Sequence, residues 1–173
     1  MNRGLLIVYT GEGKGKTTAA LGMAMRAAGH GLRVCFIQFI KGSWRYGELE
    51  AVKRFEDLID FHVMGRGFTW KSENLEEDIR LAREGWALAC RAIDSGQYHL
   101  VVLDEFTYLL HYHMLEIATC LEFFATRRPE QHVLITGRYA PQELIEAADL
   151  VTEMRVAKHP MKSGIKAQKG IEF

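Results

Sequence analysis

Thr10-Gly11-Glu12-Gly13-Lys14-Gly15-Lys16-Thr17-Thr18 is the segment of this chain best suited to chemistry, and it stands between an apolar run, Leu5 to Tyr9, and an alanine-rich stretch. Glycines let a backbone curl so that its N–H groups point inward. A lysine adds positive charge, and a threonine hydroxyl can reach a magnesium ion on bound phosphates. Gly11, Glu12, Gly13, Lys14, Gly15, Lys16, Thr17 and Thr18 are therefore candidates for holding a nucleoside triphosphate. The spacing departs from the usual GxxxxGK[ST] pattern: Thr10 occupies the place of its first glycine, and Gly11 comes one step late. The turn is one residue tighter and carries an additional lysine, Lys14. A shorter cradle need not present the γ-phosphate for ordinary hydrolysis, which points away from a routine kinase or motor.

Three further segments carry candidate groups. Leu100-Val101-Val102-Leu103 followed by Asp104-Glu105 has the pattern of an apolar strand that delivers a carboxylate to a phosphate loop, where Asp104 and Glu105, with Thr17, would serve magnesium. Arg138 follows Thr136-Gly137 after another apolar run. Its guanidinium either reaches the triphosphate or stands on the surface, and Lys14 faces the same choice. Gly65-Arg66-Gly67-Phe68-Thr69-Trp70 places two large aromatics at i, i+2 beyond two glycines. Such side chains either fold back into the core or form a platform for a large flat apolar ligand. His111-Tyr112-His113 is not read as a metal site, because i and i+2 do not share a helix face and no further ligand lies at suitable spacing.

The elements that must position these groups alternate. Apolar or β-branched runs at Leu5–Tyr9, Val34–Phe39, Ile59–Met64, Leu100–Leu103, Val133–Ile135 and Leu150–Thr152 predict strands. Between them, helices are expected over Lys16–Ala28, from Glu50 to Phe55, from an N-cap at Ser72 to Gly96, over Met114–Thr126 and over Pro141–Ala148. Continuous apolar strands separated by amphipathic helices predict an α/β fold: a mostly parallel, RecA-type P-loop sheet with helices on both faces and ligands beyond the carboxyl ends of its strands.

With 173 residues, 48% of them hydrophobic and 25% charged, the chain is expected to form one domain, 1–173, with a core that needs no staples. Lysine plus arginine equal aspartate plus glutamate at 22 each, and no basic stripe is evident, so no nucleic-acid partner is expected. Arg127-Arg128 and the basic tail from Lys158 to Lys169 read as solvated clusters. Cys35, Cys90 and Cys120 read as reduced core thiols. The start runs directly into the first strand, leaving no room for a signal peptide, and no apolar stretch approaches membrane-spanning length, so a cytoplasmic protein with no membrane partner is expected.

The phosphate loop with Ala19-Ala20, together with Gln38-Phe39-Ile40-Lys41-Gly42, Gly67-Phe68-Thr69-Trp70, Val102-Leu103-Asp104-Glu105, Ile135-Thr136-Gly137-Arg138 and Gly164 to Ile171, closely resembles corrinoid adenosyltransferases of the CobA/BtuR/CobO type. The resemblance runs in order from the first strand to the last residues. It implies transfer of the 5′-deoxyadenosyl group of ATP to Co(I) of a reduced corrinoid, with triphosphate leaving and ATP lying in reversed register on the shortened loop. It further implies that Gly11 to Thr17 hold the triphosphate, that Thr17 and Glu105 serve Mg2+ with Asp104 close by, and that Lys16 and Arg138 stabilise the leaving group. Phe68 and Trp70 match an aromatic pair that presses on the lower corrinoid face, displaces the axial ligand and eases reduction to Co(I). A homodimer and a flavodoxin-like electron donor are also implied. Met1 lies only a few residues before Leu5, so the N-terminal cover carried by some relatives is expected to be absent or supplied otherwise. Two other classes stay open at this point: a kinase or ATPase acting at the γ-phosphate, and a nucleotide-binding module without catalysis.

Overall fold

A computed structural model describes residues 3–40, 42, 46–65, 67 and 75–172. Phe68, Trp70 and the expected cap Ser72 lie outside the described residues. Among the described residues six strands and six α-helices follow one another in the order β1 (Leu6–Thr10), α1 (Lys16–Gly29), β2 (Val34–Gln38), α2 (Gly47–Val52), β3 (Ile59–Val63), α3 (Leu75–Asp94), β4 (Leu100–Asp104), α4 (Thr107–His111), α5 (Ile117–Ala125), β5 (His132–Thr136), α6 (Gln142–Ala147) and β6 (Leu150–Glu153). The strands form one sheet in the order β3-β2-β4-β5-β1-β6, and every recorded pairing is parallel. All carboxyl ends therefore open on one rim.

Alternation along the strands divides the core into two layers. Ile7, Phe36, Val102 and Leu134 face α1, whose Ala20, Ala24 and Ala28 recur every fourth residue and are buried. Methyl-sized side chains let that helix lie close to the sheet. Val8, Ile37, Leu103 and Ile135 face the other way, against α3, α5 and α6. On that side Gly85 of α3 passes so near Phe39 that a Cβ on it would stand 2.7 Å from the ring. Here too, close packing depends on a missing side chain.

The expected elements are present with shifted ends. The helix predicted from Met114 begins at Ile117, and Met114 turns instead into the core. Preceding it is α4, a short helix too brief to show a period, yet Thr107, Tyr108, Leu109 and Leu110 are all buried. Arg127 is no solvated helix end: it donates to Asp149 Oδ2 at 3.3 Å and to the Phe124 carbonyl at 2.9 Å, pinning the end of α5 to the entry of β6. Cys35 and Cys120 are buried thiols, whereas Cys90 is half-buried. Among the described residues no helix is long and apolar enough to cross a membrane.

Leu134 is fully buried between β4 and β1 neighbours on the α1 face. Leu134→Ala should cost about 2–5 kcal/mol. Denaturant titration should show a lower midpoint with an unchanged slope.

Candidate active site

The loop between β1 and α1 is shaped by contacts that no side chain would allow. Gly11 and Gly15 have φ of 95° and 106°, the left-handed region. A Cβ on Gly11 or Gly13 would stand 2.5 or 2.6 Å from the Met154 carbonyl oxygen. Gly13 N donates to that oxygen at 2.6 Å, and Met154 N donates to the Thr10 carbonyl at 2.8 Å. The segment just beyond β6 thus braces the loop from one side, a contact that loop composition alone does not announce.

Lys16 opens α1 and is only 8% exposed. Its Nζ donates to the carbonyls of Gly11 and Gly13, each at 2.7 Å, so the side chain curls back over its own loop. Burial lowers its pKa from the ordinary 10.5, opposed chiefly by the negative charge of Glu105, while Arg138 lowers it further. The lysine, both acids and the arginine therefore share one electrostatic neighbourhood.

Asp104 ends β4 and is fully buried. Its Oδ1 accepts from Thr136 Oγ1 at 2.6 Å, and its Oδ2 accepts from Gln38 Nε2 at 2.9 Å and from Thr17 Oγ1 at 3.3 Å. Strand register explains this convergence: Gln38 pairs directly with Asp104, and Thr136 stands one residue beyond the Leu103–Ile135 pair on the adjacent strand. Tyr46 in turn donates to Gln38 Oε1. Glu105 follows with φ of 63°, and its N–H donates to Thr136 Oγ1 at 3.0 Å. A non-glycine residue held in that region is retained where its surroundings over-determine it.

The two outer cations of the rim have acidic partners. Arg138 Nη1 lies 3.2 Å from Glu12 Oε2, and Lys14 Nζ donates to Glu172 Oε2 at 2.6 Å. Both pairs are substantially exposed and so exchange readily for a stronger anion. Close packing fixes the turn that carries Arg138: Thr107 Oγ1 donates to the Arg138 carbonyl, and a Cβ on Gly137 would meet that hydroxyl at 2.1 Å.

The structure thus brings together Lys16, Thr17, Asp104, Glu105, Arg138 and Glu12, as expected from sequence. Lys14 is turned toward Glu172 and the C-terminal segment. Phe68 and Trp70 lie outside the described residues. His111 stacks on Tyr139 with ring centroids 4.4 Å apart, and His113 sits in the turn after α4. Gln38, Thr136 and Tyr46 were not expected to hold the acid. Only their end-of-strand positions, read with the strand order, would have indicated it.

A parallel sheet whose glycine-rich loop, buried lysine, hydroxyl and strand-end acid meet on one rim defines a P-loop nucleotide-binding protein. The fold is similar to that of the flagellar accessory protein FlaH from Methanocaldococcus jannaschii, with a TM-score of 0.59 at 12% identity over 88% of this chain and 72% of that one. Residues 2–173 match the family of ATP:corrinoid adenosyltransferases BtuR/CobO/CobP. Similar relatives are the corrinoid adenosyltransferases of Pseudomonas aeruginosa, 46% identical over 99% of this chain and 84% of that protein, and of Escherichia coli K12, 43% identical over 99% and 86%. The corrinoid adenosyltransferase CobA of Salmonella typhimurium is 42% identical over 99% and 86%. The chain belongs to the ATP:corrinoid adenosyltransferase family.

Burial of Lys16 has a measurable consequence in the free protein. Because its folded pKa lies below 10.5, the unfolded chain holds more protons in the interval between the two values, and stability attributable to this residue rises with pH there. Wild-type stability relative to Lys16→Met should therefore increase as pH approaches the ordinary lysine range. Paired thermal denaturation of the two proteins across pH checks it.

Proposed function

We propose that this protein transfers the 5′-deoxyadenosyl group of ATP to the cobalt of a reduced corrinoid, acting as one domain of 173 residues. The observation that carries this reading is the family match over residues 2–173, joined to a phosphate loop one residue tighter than the hydrolytic pattern. In the reaction the Co(I) electron pair attacks C5′ of the ribose. A cobalt–carbon bond forms, the C5′–O5′ bond breaks with its electrons leaving on triphosphate, and cobalt becomes Co(III). No side-chain base is required; the protein aligns two reactants and stabilises the charge on the leaving group.

Gly11, Glu12, Gly13, Lys14, Gly15, Lys16, Thr17 and Thr18 form the triphosphate cradle in this reading. The loop carbonyls that now hold Lys16 Nζ lie on the loop itself, so the lysine is placed to exchange them for phosphate oxygens without a large excursion. Arg138 exchanges Glu12 for the triphosphate in the same manner and adds charge where the leaving group accumulates it.

Mg2+ bound with ATP would supply further neutralisation of the triphosphate. Thr17, Asp104 and Glu105 would hold it, an all-oxygen set suited to a hard cation.

Phe68 and Trp70 are assigned, on the resemblance, to the lower corrinoid face, where they exclude the axial ligand and make reduction to Co(I) accessible. A flavodoxin-like donor supplies the electron, and the enzyme works in the cytoplasm as a homodimer whose partner subunit helps to enclose the corrinoid. These assignments likewise rest on the resemblance.

Protein, Mg-ATP and chemically reduced corrinoid should yield inorganic triphosphate and a light-sensitive alkylcobalt spectrum in equal amounts. ADP as the nucleotide product would replace this reading with chemistry at the γ-phosphate. Trp70→Ala should bind ATP normally and lose most turnover with Co(II) corrinoid while retaining it with preformed Co(I). Equal loss with both cobalt states would remove the axial-ligand role.

A further inference from the structure

Phosphate binding leaves one buried polar group on the rim without a role. Asp78, in the first turn of α3, is 8% exposed, and its Oδ2 has no hydrogen-bond partner. Buried carboxylate oxygens are ordinarily satisfied, so an orphan calls for a reason.

Asp78 lines a cleft of about 20 Å3 whose other walls, Phe39, Ile40, Met64, Leu81 and Leu109 among them, are apolar. That volume admits one group about the size of a water molecule. The cleft opens where β2 and β3 end, on the same rim as the phosphate loop. Two glycines keep it narrow on the β3 side: Gly67 N donates to the Ile40 carbonyl at 2.9 Å, and a Cβ on Gly65 would stand 2.4 Å from the Ile40 carbonyl carbon. From Gly67 the chain runs directly into Phe68.

We propose that Asp78 anchors a peripheral carboxamide of the corrinoid, its free oxygen accepting one N–H from that amide, and so selects corrinoids whose side chain at this edge is an amide over those that carry a carboxylate. The inference rests on the corrinoid reading above. An amide NH2 has the size and donor character that the cleft lacks. A carboxylate there would set two like charges between apolar walls, where they repel strongly. A site that hydrogen-bonds one partner and repels its analogue discriminates far better than an apolar pocket does.

The test uses chemically generated Co(I), which bypasses the electron donor and the axial-ligand step, with cobinamide as the amide-rimmed probe and cobyrinic acid as the carboxylate-rimmed one. Wild type should show a KM for cobinamide lower by about tenfold or more. Asp78→Asn, which removes the charge and can donate as well as accept, should lower the KM for cobyrinic acid while the KM for ATP stays unchanged. Asp78→Ser, also uncharged, should shift the preference in the same direction. Equal KM values for the two probes in wild type, or a preference unmoved in both variants, would overturn the proposal and leave Asp78 as an acid satisfied by water. Failure of wild type to adenosylate either probe would instead remove the corrinoid reading itself.

Discussion

Everything on the functional rim is referenced to the buried carboxylate of Asp104. It is fully enclosed and accepts hydrogen bonds from Thr17, Gln38 and Thr136, which belong to α1, β2 and β5. A buried charge is tolerable only when its oxygens are satisfied, and here the donors come from three elements far apart in sequence. The same contacts that make the carboxylate tolerable set the first turn of α1, the end of β2 and the end of β5 at fixed distances from one another. Glu105 and Arg138, each within two residues of a member of this network, inherit their positions from it.

The cations of the rim follow a complementary rule. In the free protein Lys16 is occupied by loop carbonyls, Arg138 by Glu12 and Lys14 by Glu172. None is held by a partner as strong as a triphosphate. Such an arrangement keeps the loop ordered without a ligand and leaves its charges exchangeable. It also reconciles a locally cationic loop with an overall balance of 22 basic and 22 acidic residues.

Much of this was legible in the sequence, because the relevant signals are local. β-branched and apolar runs marked all six strands, the alanine spacing marked α1, and the glycine-lysine-threonine order marked the loop. What escaped depends on neighbours in space. Gln38 reads as an unremarkable strand-end amide until β2 is placed beside β4, and α4 is too short for periodicity to reveal. Arg127 reads as a surface charge until Asp149 is brought against it by the packing of α5 and α6. Asp78 has the same character: its acidic neighbours Glu76 and Glu77 suggest an ordinary exposed first turn, and only burial distinguishes it.

The bracing of Gly13 by Met154 bears on how the protein is made. Residues near the start of the chain acquire their working shape only when a carbonyl some 140 positions later has arrived to receive a hydrogen bond, a separation the order of synthesis cannot shorten. A nascent or prematurely terminated polypeptide therefore has its glycine-rich segment but lacks the wall that shapes it. Shaping of the anion cradle is thus coupled to the docking of β6 on the edge of the sheet.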